Sequence, residues 1–256
     1  MIVDYAKEGR IATFTINRPE ALNAISVQTN KELYEALVDF RDDDELWVGI
    51  ITGTGEKVFC AGADLKDMVP FMKEHRDHPE TFPSTLMRGL ELWKPLIAAI
   101  NGVAVGGGLE LALACDIRIA SENAKLGLPE VTLGLMPGWG GTQRLPRMIP
   151  WCKAAEIVFT GKPVDAQEAY RIGLVNNVVP LPELIPVARK MAEVICQAGP
   201  LGVRAAKEAM LRGSGMTLDE GLRLENTLFA KILGSEDTDE GLKAFAEKRK
   251  PEYKAK

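Results

Sequence analysis

VAVGGGLELALACD, residues 103–116, sets three glycines between a short β-branched run and a leucine-rich segment that holds one carboxylate, Glu110. Glycine weakens helix and strand interiors alike, and a glutamate is seldom fully buried without a partner. The stretch reads as a turn from strand to helix, with Gly106-Gly107-Gly108 opening a helix over residues 109–115. Unpaired N–H groups at a helix start carry partial positive charge, and glycine lets a ligand approach them closely. Such a nest suits an anion, or an oxygen that becomes anionic in a transition state. Taken alone, the triplet is equally a tight-packing turn, because it lacks the GxGxxG and GxxxxGKS spacings of nucleotide loops. Glu110 alone would be a first-turn carboxylate favoured by the helix dipole. Its flanks, Leu109, Leu111 and Leu113, argue that this helix is not exposed on every side.

The neighbouring segments define the fold class. Residues 2–5 and 11–17 form a strand pair around a Glu8-Gly9 turn, ended by Pro19. Ser26 is an N-cap, followed by Leu33, Leu37 and Phe40 at helical spacing. WVGIIT (47–52) and LIAAIN (96–101) are short continuous apolar runs, hence buried strands, and DIRIA (116–120) is a third. Strands interleaved with helices indicate an α/β fold with crossovers. From Ala154 onward the pattern is mainly helical, and a boundary is expected near residue 190, between a β-rich core (1–190) and a helical region (191–256). No sequence repeat is evident.

Composition excludes several classes. The 256 residues carry 46% hydrophobic and 26% charged side chains, ordinary for a soluble globular protein. A net charge of −5 leaves no footprint for nucleic acid and argues against an anionic membrane surface. Cys60, Cys115, Cys152 and Cys196 lie far apart with no CxxC spacing, and the two histidines, His75 and His78, sit in a polar stretch. No metal site is expected, and scattered cysteines fit a reduced, cytoplasmic protein. The N-terminus lacks the apolar region of a signal peptide, and no run reaches the length of a membrane span.

Two further stretches bear on Glu110. LGLPEVTLGLMPGWGGTQRLP (126–146) brings a second acid, Glu130, into a glycine-rich apolar context. Two carboxylates in one partly apolar site have proton affinities pushed apart or upward, which suits acid–base work. VFCAGADLKDM (58–68) offers another small-residue turn, Ala61-Gly62-Ala63-Asp64, opening a second helix. Two helix-start turns with one N–H each would form a two-donor oxyanion hole.

AGADL, INGVAVGGGLELALACDIRIA and LGLPEVTLGLMPGWGGTQRLP, in this order and spacing, resemble the crotonase superfamily, and within it the enoyl-CoA hydratases. The resemblance runs from NRPEALNAIS (17–26) to AFAEKRKPEYK (244–254). It implies a spiral of β-β-α turns followed by a helical C-terminal region that helps assemble a homotrimer or a dimer of trimers. It also implies backbone donors at Ala63 and Gly107 for a thioester oxygen, and Glu110 and Glu130 as the acids that flank the Cα–Cβ bond. Glu110 would hold and deprotonate the attacking water, and Glu130 would protonate Cα. Coenzyme A is part of the substrate, so no separate cofactor is implied. It is expected along Ala21, Leu22 and Ala24 and along Ala61, Gly62, Asp64 and Leu65, with Lys66, Lys248 and Lys250 as candidates for its phosphates, each equally readable as a solvated lysine.

The same scaffold hosts isomerases, hydrolases and other acyl-CoA enzymes, and fold alone does not choose among them. Retention of both acids favours hydration or dehydration, with isomerisation as a secondary activity. A non-enzymatic scaffold would be expected to lose an acid or a glycine. Residues 67–92 correspond to the variable acyl-pocket region, read as a helix interrupted by Pro70, Pro79 and Pro83. There Met68, Met72, Phe82 and Leu86 either touch an acyl chain or pack the segment onto the core. Trp139 replaces a residue that is small in many hydratases. It either walls the acyl pocket, shortening it or flattening it for a ring, or faces a subunit contact. A short linear enoyl-CoA is the first expectation, a cyclic alkenoyl- or dienoyl-CoA the second. A carnitinyl-like substituted acyl group is a third.

Overall fold

The computed structural model describes residues 1–256 except 79, 81 and 83, so Pro79 and Pro83 lie outside the described residues. Strand β1 (Val3–Glu8) pairs antiparallel with β2 (Ile11–Ile16) across a turn at Gly9 and Arg10, and β2 pairs parallel with β3 (Val48–Gly53). Helix α1 (Val27–Asp42) bridges β2 and β3. Ser26 caps it, its Oγ accepting the Thr29 N–H at 3.0 Å, and Leu33, Leu37 and Phe40 are buried.

From β3 the chain winds as a spiral. Each turn is a strand, a short corner, a second strand and then a helix or helical turn. β3 leads to β4 (Val58–Cys60) and α2 (Met68–Glu74). β5 (Leu96–Ile100) leads to β6 (Val103–Val105) and α3 (Gly107–Ala114). β7 (Ile117–Ser121) leads to β8 (Lys125–Gly127) and a 3-10 turn, Pro129–Leu133, followed by α4 (Gly141–Met148), α5 (Trp151–Thr160) and α6 (Ala166–Arg171). With β9 (Val164–Asp165) and β10 (Asn177–Val179), the strands form two sheets, ordered β1-β2-β3-β5-β7-β10 and β4-β6-β8-β9. The repeat is thus structural, with no sequence repeat beneath it.

Asparagines hold the corners. Asn101 Nδ2 donates to Gly55 O at 2.8 Å and Val58 O at 3.2 Å, while its Oδ1 accepts the Gly53 N–H at 3.2 Å. Asn123 on the next turn donates to Glu56 O at 2.9 Å, and Asn23 on the preceding loop reaches Thr54 O and Val58 O. Polar backbone at these bends would otherwise be buried without partners.

The large sheet is covered on both faces, which is why its strands read as continuous apolar runs. One face joins the main core with Phe14, Ile51, Ala98 and Ile100. The other carries Val48, Ile50, Ile97 and Ile119 against Leu184, Ala188 and Ala192 of α7 (Leu184–Ile195). Residue 190, where a domain boundary was expected, therefore falls inside a helix packed on the sheet. The chain leaves the sheet only after Ile195, into α8 (Pro200–Gly213), α9 (Leu218–Leu233) and α10 (Glu236–Glu247). Among the described residues, no helix is long and apolar enough to cross a membrane.

Candidate active site

Helix α3 starts at Gly107, two residues before the expected Leu109, and Gly106 is its N-cap at φ 57°. That left-handed conformation favours glycine. Gly108 is required by close approach, since a Cβ there would collide with the Cys60 carbonyl on β4. Packing thus extends the helix into residues whose propensity opposes it. Every residue from Gly107 to Leu113 is buried, as expected for a helix that is apolar all round.

The two expected donor turns meet. A Cβ built on Gly62 would lie 3.1 Å from Gly107 N, and one on Gly107 would lie 3.4 Å from Ala63 N. Gly107 is the first residue of α3, so its N–H has no partner in the helix. The backbone on either side of Ala63 is engaged: Gly62 O accepts the Ile25 N–H at 2.8 Å, and Asp64 N donates to Ile25 O at 2.9 Å. Among the described residues, neither the Ala63 nor the Gly107 N–H donates to another protein group.

Both acids converge on this turn. Glu110, one helical turn along α3, is 2% exposed. Its Oε1 accepts the Trp139 N–H at 2.7 Å and the Gly141 N–H at 2.8 Å. Desolvation raises its pKa, while these two N–H groups and the charges of Arg144 and Arg88 pull it back down. Glu130 sits in the 3-10 turn beside Gly106, where a Cβ would lie 3.3 Å from Glu130 Oε1. Its Oε2 is buried with no hydrogen bond among the described residues. Desolvation pushes its pKa up to about 7; its own backbone N–H opposes this and the charge of Glu110 adds to it. Burial raises both carboxyls, but two N–H donors oppose the rise at Glu110, whereas Glu130 Oε2 has none. Two carboxyls so differently held can act as base and acid.

Trp139 is 8% exposed, and its indole lies against Gly107, where a Cβ would fall 2.5 Å from Cζ3. It also lines a cavity of about 20 Å³ with Met68, Phe71, Met72 and Phe82. Leu86 packs against the main core instead. Pro70 lies within α2 without ending it.

The expected coenzyme A residues occupy two laced loops. Ala61 N donates to Leu22 O at 3.1 Å, and Ala24 N donates to Ala21 O at 3.0 Å. Arg18 Nη1 reaches Asp64 Oδ2 at 2.7 Å and Ala24 O at 3.2 Å, so the Asp64 carboxylate is occupied as a brace. Leu22 and Leu65 are exposed at 56% and 59%, on the outside of this pair of loops.

Other polar candidates are held structurally. His75 Nδ1 lies 2.9 Å from Phe71 O and its ring stacks on Phe71, while His78 lies beside Glu80 at the surface. Asp116 accepts from Leu96 N and from Lys207, and Arg118 donates to Leu174 O and Cys115 O. Burial raises the Cys115 thiol to about 12, which makes it inert at neutral pH. Sequence reasoning missed Gly141 and Arg144. Arg144 Nη1 and Nη2 donate to Trp139 O at 3.1 Å and Met87 O at 2.7 Å. The only sequence signal was the glycine-rich GWGG strap at 138–141.

The chain matches the enoyl-CoA hydratase/isomerase family over residues 6–256, and it belongs to that family. It is 44% identical to a short-chain-enoyl-CoA hydratase of Clostridium acetobutylicum, over 96% of this chain and 95% of the relative. It is 42% identical to an (E)-benzylidenesuccinyl-CoA hydratase of Thauera aromatica, over 99% of both. The crystal structure of an enoyl-CoA hydratase from Bacillus anthracis superimposes with a TM-score of 0.94, at 42% identity and full coverage of both chains.

Proposed function

We propose that Glu110 and Glu130 add water across the Cα=Cβ bond of a 2-enoyl-CoA, in the reversible manner of a carbon–oxygen lyase. The ionised Glu110 takes a proton from water as its oxygen bonds to Cβ. The π electrons move onto the thioester oxygen, where the Ala63 and Gly107 N–H groups stabilise the enolate. Glu130 then gives its proton to Cα and the carbonyl reforms. Dehydration of the 3-hydroxyacyl-CoA is the same path reversed. The observation that carries this reading is the pair of carboxyls beside the Ala63 and Gly107 N–H groups, Glu110 held by two N–H donors and Glu130 kept protonated to about 7. Coenzyme A enters as part of the substrate, along the laced loops of Ala21, Leu22, Ala24 and residues 61–65, and no separate cofactor takes part in these steps.

A short linear acyl group is the first assignment. The cyclic assignment has an observation in its favour: Trp139, Phe71 and Phe82 give flat aromatic surface around one cavity. Isomerisation is a side reaction open to the same enolate. The setting we infer is cytoplasmic fatty-acid breakdown by a homotrimer or a dimer of trimers. The exposed Leu218, Leu222, Phe229, Leu233 and Phe245 on the C-terminal helices support such an assembly.

The test is loss of absorbance of the conjugated thioester, with crotonyl-CoA beside cyclohex-1-ene- and cyclohexa-1,5-diene-1-carbonyl-CoA. Fast turnover of crotonyl-CoA is the expected result, and turnover of only a cyclic thioester would move the assignment to ring substrates. Silence on all three would contradict hydration of these acyl classes.

A further inference from the structure

The cavity beside Trp139 is not wholly apolar. Asn30, on α1, is 4% exposed and lines it, and its side-chain amide makes no hydrogen bond among the described residues. Its amide atoms open onto the cavity, where a hydrogen-bonding group of a ligand would meet them. Arg88 lines the same cavity from an exposed position. Its guanidinium lies 5.3 Å over the Phe82 ring and has no ion pair or hydrogen bond among the described residues.

Arg88 sits on a built turn. Thr85 N donates to Arg88 O at 2.7 Å, and Arg88 N donates back to Thr85 O at 3.1 Å and to Thr85 Oγ1 at 3.0 Å. Arg144 ties the adjacent Met87 carbonyl to the Trp139 carbonyl, fixing this turn to the strap that orients Glu110. The described lining residues include no carboxylate, and the nearby acid that feels the charge of Arg88 is Glu110, itself held by the Trp139 and Gly141 N–H groups.

We propose that the acyl group carries a carboxylate a short reach beyond the double bond, received by the Arg88 guanidinium and the Asn30 amide. The substrate class is then the coenzyme A monothioester of a short unsaturated dicarboxylic acid. A planar guanidinium matches a carboxylate through two parallel N–H bonds, and the Phe82 ring lies beneath that plane. This assignment rests on the hydratase reading for its reaction, and on the Asn30 and Arg88 geometry for its anion.

Calorimetric binding of two saturated, unreactive thioesters separates the two. Glutaryl-CoA should bind the wild-type enzyme at least tenfold more tightly than hexanoyl-CoA, and Arg88→Gln should erase that ratio. Asn30→Ala should reduce it. The hydration ratio of glutaconyl-CoA over 2-hexenoyl-CoA should fall in the same order. An Arg88→Gln enzyme with the wild-type binding ratio, or a wild-type enzyme with no preference, overturns the anion site. Crotonyl-CoA hydration by the wild-type enzyme reports on the reaction independently. A glutaryl preference removed by Arg88→Gln, in an enzyme inert to every enoyl-CoA, supports the subsite and contradicts the hydratase mechanism.

Discussion

Glu110 Oε1 accepts the backbone N–H of Trp139 at 2.7 Å, and the indole of that same residue rests on Gly107. One residue thereby orients an acid and packs the helix start that offers the N–H beside Ala63. Gly107→Ala puts a methyl 2.5 Å from Trp139 Cζ3, so either the ring or the turn must move. Overpacking of this kind costs about 1–3 kcal/mol. The loss should shrink when Trp139→Ala is added, because the two changes relieve one clash. Urea midpoints of the two single variants and the double variant check this. Strict additivity would show that ring and turn do not press on each other.

Glu130 gives the enzyme a pH signature. Below about 4.5, folded and unfolded chains both hold its proton; between 4.5 and about 7 only the folded chain does. Stability therefore falls as pH rises through this window, and the loss is complete above about 7. The shift corresponds to about 3 kcal/mol at most, which partial exposure reduces to on the order of 1–2 kcal/mol. Glu130→Gln removes the titration. Its midpoint relative to wild type should thus move in the variant's favour between pH 5 and pH 8, and a constant difference would contradict the raised pKa.

The same proton governs turnover. Hydration starts from ionised Glu110 and protonated Glu130, so kcat/KM should decline above about pH 7. Dehydration starts from the same number of protons, with the proton on Glu110. The two directions must therefore decline in parallel. Rates flat to pH 9 in crotonyl-CoA hydration would remove Glu130 as the acid.

Asn101 tests the spiral itself. Its amide ties Gly53, Gly55 and Val58 at one corner, and it is 4% exposed. Asn101→Ala strands the Gly53 N–H and the Gly55 carbonyl, while Val58 O keeps its bond from Asn23, a loss on the order of 2 kcal/mol in equilibrium unfolding. A change within a few tenths of a kcal/mol would mean that water replaces the amide without loss.

Local signals carried much of this to the surface of the sequence. Runs such as WVGIIT are uniformly apolar because their sheet is covered on both faces, and leucines on either side of Glu110 foretold its enclosure. What stayed hidden depends on partners distant in the chain. Helix α3 begins at Gly107 because β4 and Trp139 pack there, against the propensity of three glycines. The donors to Glu110 come from residues 139 and 141, about thirty positions away, and no local pattern announces them. Residue 190 looked like a boundary because composition changes near it, yet the apolar stripe of α7 belongs to the sheet. Arg88 is one arginine in a polar, proline-bounded stretch until the turn at Thr85 brings it to the cavity.

The central claim is that Glu110 and Glu130 act as one acid–base unit on an enoyl thioester. The most direct test is kcat/KM for crotonyl-CoA in wild type, Glu110→Gln, Glu130→Gln and the double variant. Each single change should lower hydration by about 10² or more, and the double change should cost little beyond the worse single, as for groups that work in one step. Near-wild-type turnover in either single variant, or losses that multiply in full, would contradict it.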